Sequence, residues 1–208
     1  MRVIAALLIG LGLAGLAACN KPAPGAVAQG DMSLGNPAAK VTVIEYASLG
    51  CPICAKWNNE VFADFKAKYI DTGKVHYVLR EFLTGDAPIA SAGFLLARCA
   101  GKEKYFQVVD AVWRQEAPYL EDESKNAEKR DALVKIAQSA GLTEPQFEAC
   151  VTDEKSVNAL NDKVQKYVDQ DKINATPTFV INGKVYDKGA MTMADMDKAI
   201  ADAAAGAK

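Results

Sequence analysis

One histidine, His76, serves the whole chain of 208 residues, and a lone imidazole cannot build a metal site. A second Cys-x-x-Cys is also missing, so Cys51 and Cys54 find no partner pair to complete the four nitrogen or sulfur ligands of structural zinc. No metal is expected. Apolar runs of helix length stop at residue 20, which excludes a membrane span in the body of the chain. Excess charge is lacking too: the formal net charge of -2 leaves no basic footprint for nucleic acid. Repeats at solenoid periods do not occur. What remains, 50% hydrophobic and 24% charged, has the composition of one globular domain.

Within that composition the stretch Ser48-Leu49-Gly50-Cys51-Pro52-Ile53-Cys54 stands where an apolar run turns helical. Val41, Val43, Ile44 and Tyr46 before it predict a strand; Ile53, Trp57, Val61, Phe65 and Tyr69 after it form the stripe of an amphipathic helix over 52–70. Pro52 suits a first helical turn. A cysteine at a helix N-terminus meets unpaired backbone N–H groups and the positive end of the dipole, and both favour thiolate. Cys51 is therefore the expected nucleophile and Cys54, one turn inside, its resolving partner. Glu45 is the only charged residue of an otherwise apolar strand that reads as central in a sheet. Burial there raises its pKa and fits it to carry a proton for Cys54; on an edge strand it is instead an ordinary surface glutamate.

The first residues read as an address. Arg2 precedes an apolar run from Val3 to Leu16, too short to span a bilayer and right for a signal-peptide core, which gives a signal peptide over 1–18 and an exported chain. Leu16-Ala17-Ala18-Cys19 resembles the bacterial lipobox, in which cleavage before the cysteine leaves it lipidated. Ordinary cleavage among these alanines, or an uncleaved anchor, are the alternatives. Residues 19–30 then form the lipidated N-terminus and a Pro-, Gly- and Ala-rich tether.

Past the tether, Gly35-Asn36-Pro37 signals a turn. Val75 to Phe82 predicts a second strand, and strand, helix, strand makes a βαβ unit with parallel strands. His76 on that strand is expected at its surface. Residues 86–172 carry helical stripes through Phe94, Leu95 and Cys99, then Tyr105 to Trp113, then Leu133 to Ala140 before a capping Gly141. These stripes read as core, and the charge-rich stretch 116–130 as a solvated connection and helix start. Thr143-Glu144-Pro145-Gln146 predicts a capping box. Asn182-Gly183 joins an apolar strand ending at Ile181 to a return strand Lys184-Val185-Tyr186, and Pro177 keeps its own position out of a central strand. An alanine-rich helix closes the chain.

These features together resemble the DsbA-like thiol-disulfide oxidoreductases: an exported chain, Cys-Pro-Ile-Cys after a strand, a helical insertion, and Thr176-Pro177 before a late hairpin. The resemblance implies an α/β thioredoxin fold with an inserted all-helical subdomain, divided as 31–85 with 173–208 for the fold and 86–172 for the insertion. It further implies a cis bond before Pro177, packed beside the dithiol, with Thr176 offering its backbone to an extended substrate by β-augmentation. Pro52 and Ile53 complete that substrate-binding set, and Glu45 matches the family's buried acid. Ile53 departs from the histidine common in strongly oxidising members, which implies a less oxidising pair.

The function so implied is the introduction of disulfide bonds into exported proteins at the periplasmic or other extracytoplasmic face of the bacterial cell envelope. Its redox centre is Cys51 with Cys54, without a bound cofactor. The implied partners are exported proteins with free thiols, a redox partner that resets the dithiol, and the membrane through the lipid; nucleic acid is not among them, and the chain is a monomer. An envelope reductase or isomerase relay uses the same residues in the opposite direction, and a non-catalytic binding or metal-handling lipoprotein is the third reading. With Cys19 assigned to lipid and Cys51 and Cys54 to catalysis, two of the five cysteines remain. Cys99 and Cys150 are expected to form a structural disulfide on the core-facing side of two helices.

Overall fold

The computed structural model describes residues 27–116 and 125–207. The expected signal peptide, Cys19 and most of the tether lie outside the described residues.

Five strands form one mixed sheet: β1 (Met32–Gly35), β2 (Val41–Ala47), β3 (Val75–Glu81), β4 (Thr178–Ile181) and β5 (Lys184–Tyr186), in spatial order β1-β3-β2-β4-β5. β2 and β3 are parallel, as the helix between them requires, and the other pairs are antiparallel. β2 is central, which puts Glu45 opposite Leu79 on one side and Phe179 on the other. Asn182 and Gly183 both take positive φ, the demand of a two-residue hairpin turn. β1 is absent from the sequence-based expectation. It has only four residues, too few for alternation to register, and it lies antiparallel along β3 with Met32 opposite Leu79.

The helix after β2 begins as α1 (Pro52–Trp57) and runs on without a break. A wide i→i+5 turn over Asn58–Phe62, a return to α geometry in α2 (Ala63–Phe65) and a second wide turn over Lys66–Ile70 complete it. Apolar residues spaced every fourth position drift about 40° per repeat around a regular α-helix. The wide turns take up that drift and keep Trp57, Phe65 and Tyr69 buried together. Ile53, the first member of the expected stripe, is 52% exposed. It stands beyond the core edge.

Between β3 and β4 run α3 (Ala87–Cys99), α4 (Tyr105–Glu116), α5 (Asn126–Ser139), α6 (Glu144–Val151) and α7 (Glu154–Asp169), and α8 (Met193–Gly206) follows β5. Gly141, at φ +89°, ends α5 with the N–H of Leu142 bonded to the carbonyl of Ala137. Thr143 and Gln146 cap α6 reciprocally. On one face of the sheet Trp57, Phe62, Phe65, Tyr77 and Phe179 pack ring against ring. Each fully buried side chain of this size stabilises the fold by roughly 1.5–3 kcal/mol. Tyr46, Val78, Tyr167 and Val180 pack together as a smaller cluster, which brings α7 against the strands.

Among the polar residues, His76 and Lys129 depart from expectation. His76 is buried, not on a surface, and the loss of water lowers its pKa. Arg80 and Glu81 do not pair with each other, because successive strand residues point to opposite faces. Arg80 binds Asp31 and Asp171 and lies over the rings of Tyr46 and Tyr167. Glu81 takes two bonds from Arg98 and one from Tyr105. Lys129, from the stretch read as solvated, is only 1% exposed and pairs with Asp86 at 2.6 Å. Its place four residues before Leu133 continues the buried stripe of α5.

Candidate active site

The end of β2 delivers the chain into a tight turn where Gly50 has no room for a side chain. A Cβ there would meet the Asp86 carbonyl oxygen at 2.2 Å, and one on Gly85 the Gly50 oxygen at 1.9 Å. Two backbones therefore touch, locked by the bond from Asp86 N–H to the Gly50 carbonyl. Cys51 follows as the N-cap of α1, its sulfur accepting from the Cys54 N–H at 3.4 Å. Pro52 occupies the first turn, and both Pro52 and Ile53 face solvent.

Burial separates the two thiols less than the sequence implies. Cys51 is 7% exposed and Cys54 is 0% exposed. Chemistry separates them further. A hydrogen bond from the Cys54 thiol, helped by the Thr176 side chain and the N–H groups of Cys54 and Ile53, lowers the Cys51 pKa to about 6 against the opposing cost of burial. Cys54 is pushed well above the ordinary thiol range by burial first, then by its bond to Cys51 and the negative charges of Cys51 and Glu45. At neutral pH the pair is one thiolate and one thiol.

Glu45 lies beneath them, 0% exposed. Tyr77 donates to its Oε2 at 2.6 Å, and Oε1 has no hydrogen-bond partner among the described residues. Burial raises the Glu45 pKa to about 8, the Tyr77 bond pulls the other way, and charge on Cys51 adds to the rise. The carboxyl group is protonated at neutral pH.

The Thr176-Pro177 peptide bond is cis, and Pro177 is buried. The Thr176 carbonyl accepts from the Cys51 thiol at 3.5 Å. Two elements that sequence reasoning left without a role close the site. Trp113, read only as core, donates from its indole to the Ser48 carbonyl at 3.1 Å. Thr84 bonds to Ser48 and to Thr176. Its position just past the end of β3, parallel to β2, is the available signal, since ends of parallel strands converge on one rim.

Cys99 and Cys150 are joined by a disulfide with Cα atoms 6.2 Å apart. The bridge is not on a core-facing side: Cys99 is exposed and Cys150 half-buried. Cys99 ends α3, where the helix has run past the core, so the residue one turn after buried Leu95 is uncovered. Twelve residues of helix, about 18 Å, separate it from Ala87, which follows the Asp86 that meets the Gly50 turn. Among the described residues no group of three or more His, Cys, Asp or Glu is placed to hold a metal ion, and no helix is long and apolar enough to cross a membrane.

A family model described as Thioredoxin matches residues 27–202. The chain belongs to the thioredoxin family. Among thioredoxin-family relatives, a putative protein-disulfide oxidoreductase of Rickettsia bellii is 33% identical over 156 residues, covering 74% of this chain and 58% of that protein. A probable disulfide bond formation protein D of Bacillus cereus is 28% identical over 74% of this chain and 70% of its own length. The chain thus spans a little over half the length of the Rickettsia relative. The crystal structure of Wolbachia pipientis alpha-DsbA1 superposes with a TM-score of 0.75 at 28% identity, over 87% of this chain and 94% of that one. The thioredoxin-like fold with a helical insertion, as the sequence resemblance implies, is what they share.

Reduced protein should show a thiolate absorbance step with a midpoint near pH 6, the titration of Cys51. A first thiol step above pH 8 would contradict the geometry of the helix start.

Proposed function

We propose that this chain is a protein thiol-disulfide oxidoreductase of the bacterial cell envelope that introduces disulfide bonds into exported proteins. The observation that carries this reading is the asymmetry of the dithiol: Cys51 is held as a thiolate with a pKa of about 6, while Cys54 is held as a thiol. A stabilised thiolate favours the reduced pair, and a protein that favours its reduced form is an oxidant.

In the oxidised pair a substrate thiolate attacks the Cys51 sulfur. The Cys51–Cys54 bond breaks, a bond from substrate to Cys51 forms, and Cys54 leaves with the electron pair. Glu45 is the protonated group beneath it and supplies the proton. The substrate's second thiolate then attacks the sulfur of its own first cysteine, and Cys51 departs as thiolate. Two electrons end on the protein and one disulfide on the substrate. A redox partner takes those electrons in turn. Exposed Pro52 and Ile53, with the Thr176-Pro177 turn opposite, form the rim against which an extended substrate strand pairs. Cys19 carries the lipid that holds the chain at the membrane.

The test is the reduction potential of Cys51 with Cys54. It should lie above the thioredoxin value of about -270 mV; a value at or below that figure would move the chain to the reductase class. Stability should follow. The folded-state pKa of Cys51 is depressed, so its contribution to the reduced protein is fully present above the free-thiol pKa and is lost as pH falls through about 6. Glu45 is the opposite case: its raised folded-state pKa gives a contribution that is full below the free-carboxyl pKa and lost as pH rises through about 8. Only the reduced form has both. Melting curves should therefore show the reduced protein gaining on the oxidised between about pH 6 and 9, by on the order of 4 kcal/mol.

Glu45→Gln keeps the shape and removes the proton. It should slow release of Cys54 from the pair several-fold at neutral pH and flatten the pH profile near 8, with melting unimpaired. Turnover unchanged across pH would return Glu45 to a purely structural role.

A further inference from the structure

Three loops meet around the Cys51 sulfur, and one residue links all three. Thr84 receives a bond from the Ser48 hydroxyl on its carbonyl at 2.8 Å and gives its own N–H to the same hydroxyl at 3.2 Å. Ser48 is fully buried, and its hydroxyl also accepts from the Gly50 N–H at 3.2 Å, one residue before Cys51. Across the cleft, the Thr84 hydroxyl stands 2.5 Å from the Thr176 hydroxyl. Thr176 in turn contacts the Cys51 sulfur through its carbonyl at 3.5 Å and through its side chain.

Proton count decides how this chain of hydroxyls is polarised. A threonine hydroxyl has one proton to give and lone pairs to receive. If Thr176 donated to Thr84, it would have no proton left for the sulfur. If Thr84 donates to Thr176, the Thr176 proton is free to face Cys51, and each bond strengthens the next. Negative charge on Cys51 selects the second arrangement. We propose that Thr84 is a positioning residue for the dithiol: its hydroxyl donates to Thr176 Oγ1 and so turns the Thr176 proton onto the Cys51 thiolate. The Ser48 clamp holds the Thr84 backbone against the turn that carries Cys51, so donor and sulfur belong to one rigid frame. Thr84 touches neither the sulfur nor the substrate in this role; it acts through Thr176.

The inference rests on the reading of Cys51 as the reactive thiolate, and the experiment separates the two. Reduced full-length Thr84→Val and Thr84→Ser proteins are titrated by ultraviolet thiolate absorbance, with melting temperature recorded alongside. Valine has the shape of threonine without the donor; serine keeps the donor. Thr84→Val should raise the Cys51 midpoint by about half a unit to one unit and make the pair less oxidising, and Thr84→Ser should stay with the parent. A purely structural role would lower melting temperature without moving the midpoint. An unshifted midpoint in Thr84→Val, or an equal shift in Thr84→Ser, would overturn the proposal. Where valine prevents folding, Thr84→Ala gives the same reading with less bulk. A shifted midpoint in a protein that oxidises no peptide would sink the proposed function and leave the Thr84 assignment standing. Full oxidase activity with no shift would do the reverse.

Discussion

Cys54→Ala protein incubated with disulfide-bearing peptides will accumulate mixed disulfides on Cys51, and multiple-turnover exchange will fall to background. Both effects follow from one arrangement. Cys51 keeps the helix N-terminus and the bond from the Thr176 side chain that favour its thiolate, so it still attacks, whereas the buried thiol that resolves the adduct is gone. Non-reducing gels followed by mass spectrometry count the adducts. Cys51→Ala should form none, because Cys54 is fully buried and stays protonated. The same asymmetry predicts that, in the reduced parent at about pH 6, Cys51 alkylates far faster than Cys54, whose thiolate fraction is much the smaller. Adducts on Cys54 in the Cys51→Ala variant would exchange the two roles.

The second large effect concerns stability. Replacing both Cys99 and Cys150 with alanine removes a bridge that spans 51 positions of sequence. In the chain-entropy model a closed loop of that size stabilises by about 4 kcal/mol, through restriction of the unfolded chain. That contribution does not depend on whether the bridge is buried, so its exposed position leaves the expectation intact. The melting temperature should fall by on the order of 10 °C. Exchange at Cys51 should remain near the parental rate, since a helix length of about 18 Å stands between the two pairs. Preserved melting with lost turnover would instead make the second pair an electron relay.

Much of the fold could be read from spacing along the chain, because spacing is what sets local structure. The βαβ unit, the Thr143 capping box, the Gly141 stop and the Asn182-Gly183 turn all depend on residues within a turn or two of one another. Glu45 was legible for a related reason: a single charge in an apolar central strand must be buried. Contacts between distant segments left weaker marks. Thr84 lies 92 positions from Thr176 and 36 from Ser48, and only its place just past the end of β3 sets it apart from any loop threonine. Lys129 was hidden by its type, since lysine is rarely buried without a partner, and Asp86 is 43 positions away. The exposure of Cys99 escaped for the opposite reason. Periodicity reports which residues share a helix face, and says nothing of where the core beneath that face ends.

The antiparallel run of β1 along β3 also decides at which rim the chain enters the domain. Because Met32 sits opposite Leu79 and Asp31 is clamped by Arg80, the polypeptide enters the domain at the C-terminal end of β3, the rim beyond which Thr84 lies and toward which parallel β2 carries Cys51. A parallel first strand would have brought it in at the far end. With the lipid on Cys19 as proposed, the twelve residues from there to Asp31 give a leash of at most about 40 Å. On that proposal the dithiol rim is the side of the domain nearest the lipid, and Cys51 would work in a shallow layer over the bilayer.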